Sequence, residues 1–96
     1  MLAVDIGTSS IRATVYGQGL QPVRPGAQIP YRWRTGSDGS VETSTALMER
    51  AVASAIDGAL TGVRSGVDAV AIAAFWHSLV GVDAKGRAAT DRKSVV

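Results

Sequence analysis

Apolar and polar positions alternate in short bursts over the first third of the chain, switch to a helical period, and then merge into a nearly continuous apolar run. Leu2 to Ile6 and about Ile11 to Tyr16 read as two strands, joined by a turn of Gly, Thr and Ser at the end of a sheet. Gly17-Gln18-Gly19 marks the next turn. Pro22, Pro25 and Pro30 confine the stretch after it to loop or edge-strand roles, because proline cannot donate to a ladder. Within that stretch Ile29, Tyr31 and Trp33 alternate with polar positions, which predicts a short third strand with one packed face. Gly36 to Gly39 is a polar loop.

The period changes between about Thr43 and Leu60. Leu47, Ala51 and Ala55 form one row, and Met48, Val52, Ile56 and Leu60 another, so a helix with a broad apolar stripe is expected. Thr43, Ser44 and Thr45 all suit its N-cap, and Gly62 and Gly66 supply stops. Gly58 inside the helix weakens it by about 1 kcal/mol relative to Ala. Val67 to Phe75 has the continuous apolar character of a strand buried on both faces in a parallel arrangement, reached through a right-handed crossover. Leu79 to Val82 adds a short strand and Asp83-Ala84-Lys85-Gly86 a turn. The predicted order is β-β-β-α-β-β, an α/β class without internal repeat, and it is neither a doubly wound dinucleotide domain nor a barrel.

Ninety-six residues allow one small domain, short for an enzyme with two substrates. The apolar fraction of 46% and charged fraction of 19% belong to a globular protein. Ten Lys and Arg against eight Asp and Glu are scattered, and Arg32 and Arg34 alternate with Tyr31 and Trp33 as on a solvated strand face. No cluster large enough for nucleic acid forms. Without cysteine there is neither a disulfide framework nor a cysteine zinc site. The longest apolar run, Ala69 to Trp76, is too short to span a bilayer, and a cytoplasmic protein is the expectation.

Candidate chemistry falls in two places. At the first turn, Asp5 ends an apolar run before Gly7, Thr8, Ser9 and Ser10. Gly7 lets a backbone come close, successive N–H groups can form an anion nest, and the hydroxyls add donors, which suits a phosphate. Asp5 would then hold Mg²⁺ through water, since that ion prefers oxygen ligands and keeps part of its hydration shell. The same residues also compose an ordinary strand-to-turn sequence. The second place is Phe75-Trp76-His77-Ser78, at the end of the apolar strand, where ligands sit in open α/β sheets. Trp76 could stack on a sugar ring and His77 could hydrogen-bond a polyol, or both aromatics could be core and His77 a satisfied, partly buried histidine.

The last six residues, Asp91 to Val96, carry no periodicity. One reading frame of a common sequencing adapter translates as these residues followed by a stop, so residues 91–96 are expected to be a non-native tail. Without them eight basic residues face seven acidic ones, a charge of +1.

Together, Asp5 to Arg12, Gly39-Ser40-Val41-Glu42 and Ala71 to Asp83 resemble the start of an FGGY-family carbohydrate kinase. That family belongs to the actin, Hsp70 and sugar-kinase superfamily, so the resemblance implies an incomplete ribonuclease H-like N-terminal subdomain over residues 1–90. It implies transfer of the γ-phosphate of ATP to a hydroxyl of a sugar, sugar acid or polyol, with ATP and Mg²⁺ as cofactors. Asp5 would anchor the metal, Gly7, Thr8, Ser9 and Ser10 would cradle phosphates, and Arg12 would add charge beside them or be a solvated strand residue. Trp76 and His77 would contact the sugar, and the aromatic-His-Ser step looks most like gluconate-kinase-like members. The small molecule is the expected partner, with neither nucleic acid nor membrane, and a homo-oligomeric parent is compatible with the resemblance. The family's catalytic Asp lies well downstream; Asp57, Asp68 and Asp83 do not match it. The adenosine half of the cleft and the family's continuation after Thr90 have no counterpart either. The fragment itself is therefore expected to be inactive. Two other readings stand beside this one. A different ATPase of the superfamily, such as a chaperone, has no reason to carry the Phe75-to-Ser78 step. A free-standing interaction module would offer the Ile29-Tyr31-Trp33 edge to a partner strand.

Overall fold

The computed structural model describes residues 1–76 and 78–90, together with the backbone of 92–94. Along the chain come β1 (Leu2–Ile6), β2 (Ser10–Val15), β3 (Ala27–Pro30), β4 (Arg34–Thr35), β5 (Val41–Thr43), α1 (Thr45–Leu60), β6 (Val70–Ala74), β7 (Ser78–Leu79) and β8 (Arg92–Ser94). They form two sheets, a larger one in the order β3-β2-β1-β6 and a smaller one in the order β4-β5-β8-β7. In the larger sheet β1 runs antiparallel to β2, from Leu2 opposite Val15 to Ile6 opposite Ile11. On its other side β1 runs parallel to β6, from Leu2 beside Val70 to Ile6 beside Ala74.

The period-2 alternation of β1 and β2 decides which face is core. Leu2, Val4, Ile11, Ala13 and Val15 are buried and pack against Ala51, Ala55 and Ala59 of α1, whereas Asp5 and Arg12 point to the open side. Ser44 is the N-cap of α1, its hydroxyl accepting the Leu47 N–H at 3.2 Å. Thr43, an equally good candidate by sequence, belongs to β5 instead and donates its buried hydroxyl to the Arg32 carbonyl at 2.7 Å. Of the two predicted rows, Ala51, Ala55 and Met48 are buried together with Ala59, and Val52 and Ile56 pack partly buried against the core. Leu47 is half exposed, and Leu60 lies at the exposed end. Gly58 has a packing role that its low helix propensity conceals. A Cβ added there would stand 2.9 Å from the Ala27 Cβ, so glycine lets α1 close onto β3.

Three expectations need correction. The predicted third strand through Ile29, Tyr31 and Trp33 stops at Pro30, and β4 starts a separate sheet with β5. Tyr31 and Trp33 turn instead towards the first turn of the chain, where they form hydrogen bonds. The apolar strand expected to be buried on both faces, β6, is exposed throughout, with Val70 at 59% and Ile72 at 67%. It forms the sheet edge, and α1 lies chiefly over β2 and β3. The order β-β-β-α-β-β also undercounts: β5 is too short to show a period, and β8 falls in 91–96, where no pattern predicts a strand. The backbone of β8 pairs with both β5 and β7.

The predicted turn after Leu79–Val82 is present, although only Ser78–Leu79 is strand and Val82 makes an isolated bridge to Ala88. The Asp83 carboxylate accepts the Lys85 and Arg87 N–H groups, each at 2.9 Å, and the Arg87 Nε at 3.1 Å. The Arg87 N–H is the largest influence, and with the other two donors it outweighs desolvation and holds the carboxyl below its ordinary pKa.

Candidate functional site

The parallel pairing of β1 and β6 brings both candidate clusters to one end of the larger sheet. Ile6 lies beside Ala74 at the carboxyl ends of the two strands, and the Phe75 N–H donates to the Ile6 carbonyl at 3.2 Å. The Gly7-to-Ser10 turn and the Phe75-Trp76 step therefore leave adjacent strand ends, the position where open α/β sheets hold ligands.

The turn is tight and held from one side. Gly7 donates its N–H to the Ser10 carbonyl at 3.0 Å, and a Cβ on Gly7 would approach that carbonyl oxygen to 3.0 Å. The next carbonyls are each taken by the segment after β3. The Tyr31 hydroxyl donates to the Gly7 carbonyl, the Trp33 Nε1 to the Thr8 carbonyl at 2.7 Å, and the Tyr31 N–H to the Ser9 carbonyl at 3.0 Å. Tyr31 packs against Trp33 with ring centroids 6.1 Å apart, and Trp33 meets Phe75 edge-on at 5.6 Å. These aromatics connect the turn to the end of β6.

The proposed phosphate residues are not equivalent. Thr8 and Ser9 are exposed, whereas Ser10 is buried and its Oγ accepts the Gln28 side-chain amide at 3.1 Å. Gly7 contributes the close turn, but its N–H is already engaged in the hairpin. Asp5 and Arg12 face each other across β1 and β2 on the open side of the sheet. They line a hollow of about 460 Å³ with Ala3, Thr14, Tyr16 and Ala73 among its walls. Asp5 is an exposed carboxylate and Thr8 and Ser9 carry exposed hydroxyls, oxygen donors of the kind that suits a hydrated Mg²⁺ carrying phosphate. Trp76 is 79% exposed beyond Phe75, so it is surface rather than core. His77 lies outside the described residues. Asp57, Asp68 and Asp83 are exposed on α1, before β6 and in the turn after β7.

The alternation that predicts one packed strand face at Tyr31 and Trp33 does not reveal their bonds to the turn. Pro30 is the available signal: β3 ends at it, and one further backbone bond, from the Tyr31 N–H to the Ser9 carbonyl, carries the chain on to the turn.

The fold is thus a mixed four-stranded sheet with a hairpin turn and a parallel strand end side by side, backed on one face by a single helix. The crystal structure of gluconate kinase from Lactobacillus acidophilus shares this fold, with a TM-score of 0.85 and 20% sequence identity over 97% of this chain. The chain spans 20% of that kinase chain. No protein-family model and no curated protein matches it.

Proposed function

We propose that this chain is the phosphate-binding part of an FGGY-type carbohydrate kinase with a ribonuclease H-like core, acting in a larger protein on a sugar, sugar acid or polyol. The observation that carries the reading is the meeting of the Gly7-to-Ser10 turn with the Phe75-Trp76 step at the carboxyl ends of β1 and β6. The shared fold with gluconate kinase supports it, and so does the short span of that chain which is matched. Exposed Val70 and Ile72 on β6 support a parent in which further chain covers this edge.

In this reading Asp5 holds Mg²⁺ through water, and Thr8 and Ser9 hold phosphate oxygens. The metal, when bound, neutralises charge on the moving phosphoryl group. Arg12 stands across from Asp5, on the same open face. Trp76 offers its exposed ring to the sugar, and His77 is assigned a hydrogen bond to it by the family resemblance. No carboxylate here is assigned as the base that takes the proton from the attacking hydroxyl, so the chain alone is inactive.

Tyr31 and Trp33 bear against the interaction-module reading. Both bond inward to the turn, and β3 stops at Pro30. The strand that this reading offers to a partner therefore does not run through Tyr31 and Trp33, although β3 itself is an edge of the larger sheet. The test is ATP-dependent phosphorylation by the full-length parent across sugars, sugar acids and polyols. Asp5→Ala is expected to lower kcat/KM at least about 100-fold on the accepted substrate, the scale of losing one charge-stabilising group. A parent inert on all of them, or an Asp5→Ala variant of undiminished activity, overturns the proposal.

A further inference from the structure

Three successive carbonyls of the first turn, those of Gly7, Thr8 and Ser9, are drawn towards the segment 31–33. No peptide bond of the described residues is cis. In a trans peptide the N–H of the next residue points opposite to the carbonyl. The N–H groups of Thr8, Ser9 and Ser10 therefore aim away from Tyr31 and Trp33. Among the described residues, the Thr8 and Ser9 N–H groups meet no protein acceptor. Successive N–H groups aimed to one side form an anion-binding concavity, and its strength depends on holding the dipoles before the anion arrives.

From this geometry we infer that Tyr31 and Trp33 are positioning residues, which fix the N–H face of the Gly7-to-Ser10 turn towards a polyphosphate by holding its carbonyls from behind. The inference rests on the phosphate-binding reading of the turn, but it assigns work to residues outside it. Neither side chain touches the anion. Each acts by keeping a peptide plane from rotating. Trp33 does so from a fixed position, because its ring is wedged between Tyr31 and Phe75. Tyr31 holds the turn twice, through its hydroxyl and its backbone N–H.

The test uses the whole chain and magnesium tripolyphosphate, which presents phosphates without needing an adenosine site. Tyr31→Phe and Trp33→Phe each keep an aromatic ring and delete one donor. Amide exchange and relaxation at Thr8, Ser9 and Ser10 report the order of the turn without ligand, and amide shifts on titration report affinity. Each variant is expected to loosen the free turn and weaken binding about 5–10-fold, the scale of one hydrogen bond. The urea midpoint checks that each variant stays folded under the titration conditions, and it is expected to fall somewhat because each bond is present without ligand. Turn order and affinity in the folded chain decide. If Trp33→Phe fails to fold, Tyr31→Phe alone decides. Unchanged turn order and wild-type affinity in the variants overturn the inference while leaving the phosphate site standing. Turn amides of the wild-type chain that ignore magnesium tripolyphosphate overturn the phosphate reading of the turn, and the positioning role with it. Activity of the full-length parent is read separately and does not enter either outcome.

Discussion

Replacing Gly58 by alanine sets helix propensity directly against packing. Alanine at an interior helical position is favoured by about 1 kcal/mol over glycine, which taken alone makes Gly58→Ala a stabilising change. The structure predicts the reverse. The new Cβ would lie 2.9 Å from the Ala27 Cβ, where carbon atoms prefer about 3.5–4.0 Å. Both carbons are attached directly to the backbone, so no rotamer relieves the contact and α1 must move off β3. Overpacking of this kind costs about 1–3 kcal/mol, so the net change is a loss of about 1 kcal/mol. For a domain of this size that lowers Tm by about 4–8 °C. Urea unfolding of Gly58→Ala, Ala27→Gly and the double variant closes the cycle. In the Ala27→Gly background the obstructing methyl is gone, and Gly58→Ala should become stabilising by up to about 1 kcal/mol. The change of sign is the diagnostic result. Stabilisation by Gly58→Ala in the wild-type background would show that α1 and β3 are not in close contact, and the reasoning would be wrong.

The uneven cover of the larger sheet predicts unequal costs for two isoleucines of the same sheet. Ile11 is fully buried, and Ile11→Ala should cost about 3 kcal/mol by urea unfolding. Ile72 is 67% exposed, and Ile72→Ala should stay within about 0.5 kcal/mol, so equal losses would contradict the exposure of β6. The Asp83 turn predicts a pH dependence of defined sign. Its carboxyl has a lowered pKa in the fold, so its contribution is present above the unfolded pKa and fades as pH falls through the lower folded value. Amide shifts of Lys85 and Arg87 should titrate together with a midpoint below the ordinary carboxylate range and lose that titration in Asp83→Asn; a midpoint at or above that range would remove the three donors as its cause.

The residues that were legible in advance are those whose structure follows from local period. Leu2 to Ile6 read as a short apolar run ahead of a turn and form β1 over those same residues, and the helix ends at Leu60 as its pattern indicates. What sequence could not settle was decided between elements. Burial of β6 depends on what lies over it, and an apolar run is compatible with a central strand or an uncovered edge. The cap of α1 depended on Arg32, eleven residues before Thr43, whose carbonyl took the Thr43 hydroxyl and left Ser44 to cap. Gly58 looked like a defect until Ala27 stood opposite it.

The candidate site follows the same division. Asp5 and the Gly7-to-Ser10 turn were readable because a strand must end somewhere, and its end was written in turn-forming residues. Parity placed the carboxylate: with Leu2 and Val4 facing the core, Asp5 must face the open side, and a slip of one residue would bury it beneath α1. Arg12 follows by register, opposite Asp5 across the hairpin. The groups that hold the turn in shape were hidden because their contacts join distant parts of the chain. Tyr31 and Trp33 reach it only after β3 has paired with β2 and the chain has left the sheet at Pro30. In the proposed reading the visible residues supply the oxygen donors, and the hidden ones fix the peptide planes between them. A motif at the first turn without an aromatic pair behind it would keep its hydroxyls and carboxylate while losing the orientation of its N–H groups. The turn is therefore held by residues 31–33 as well as by the motif itself.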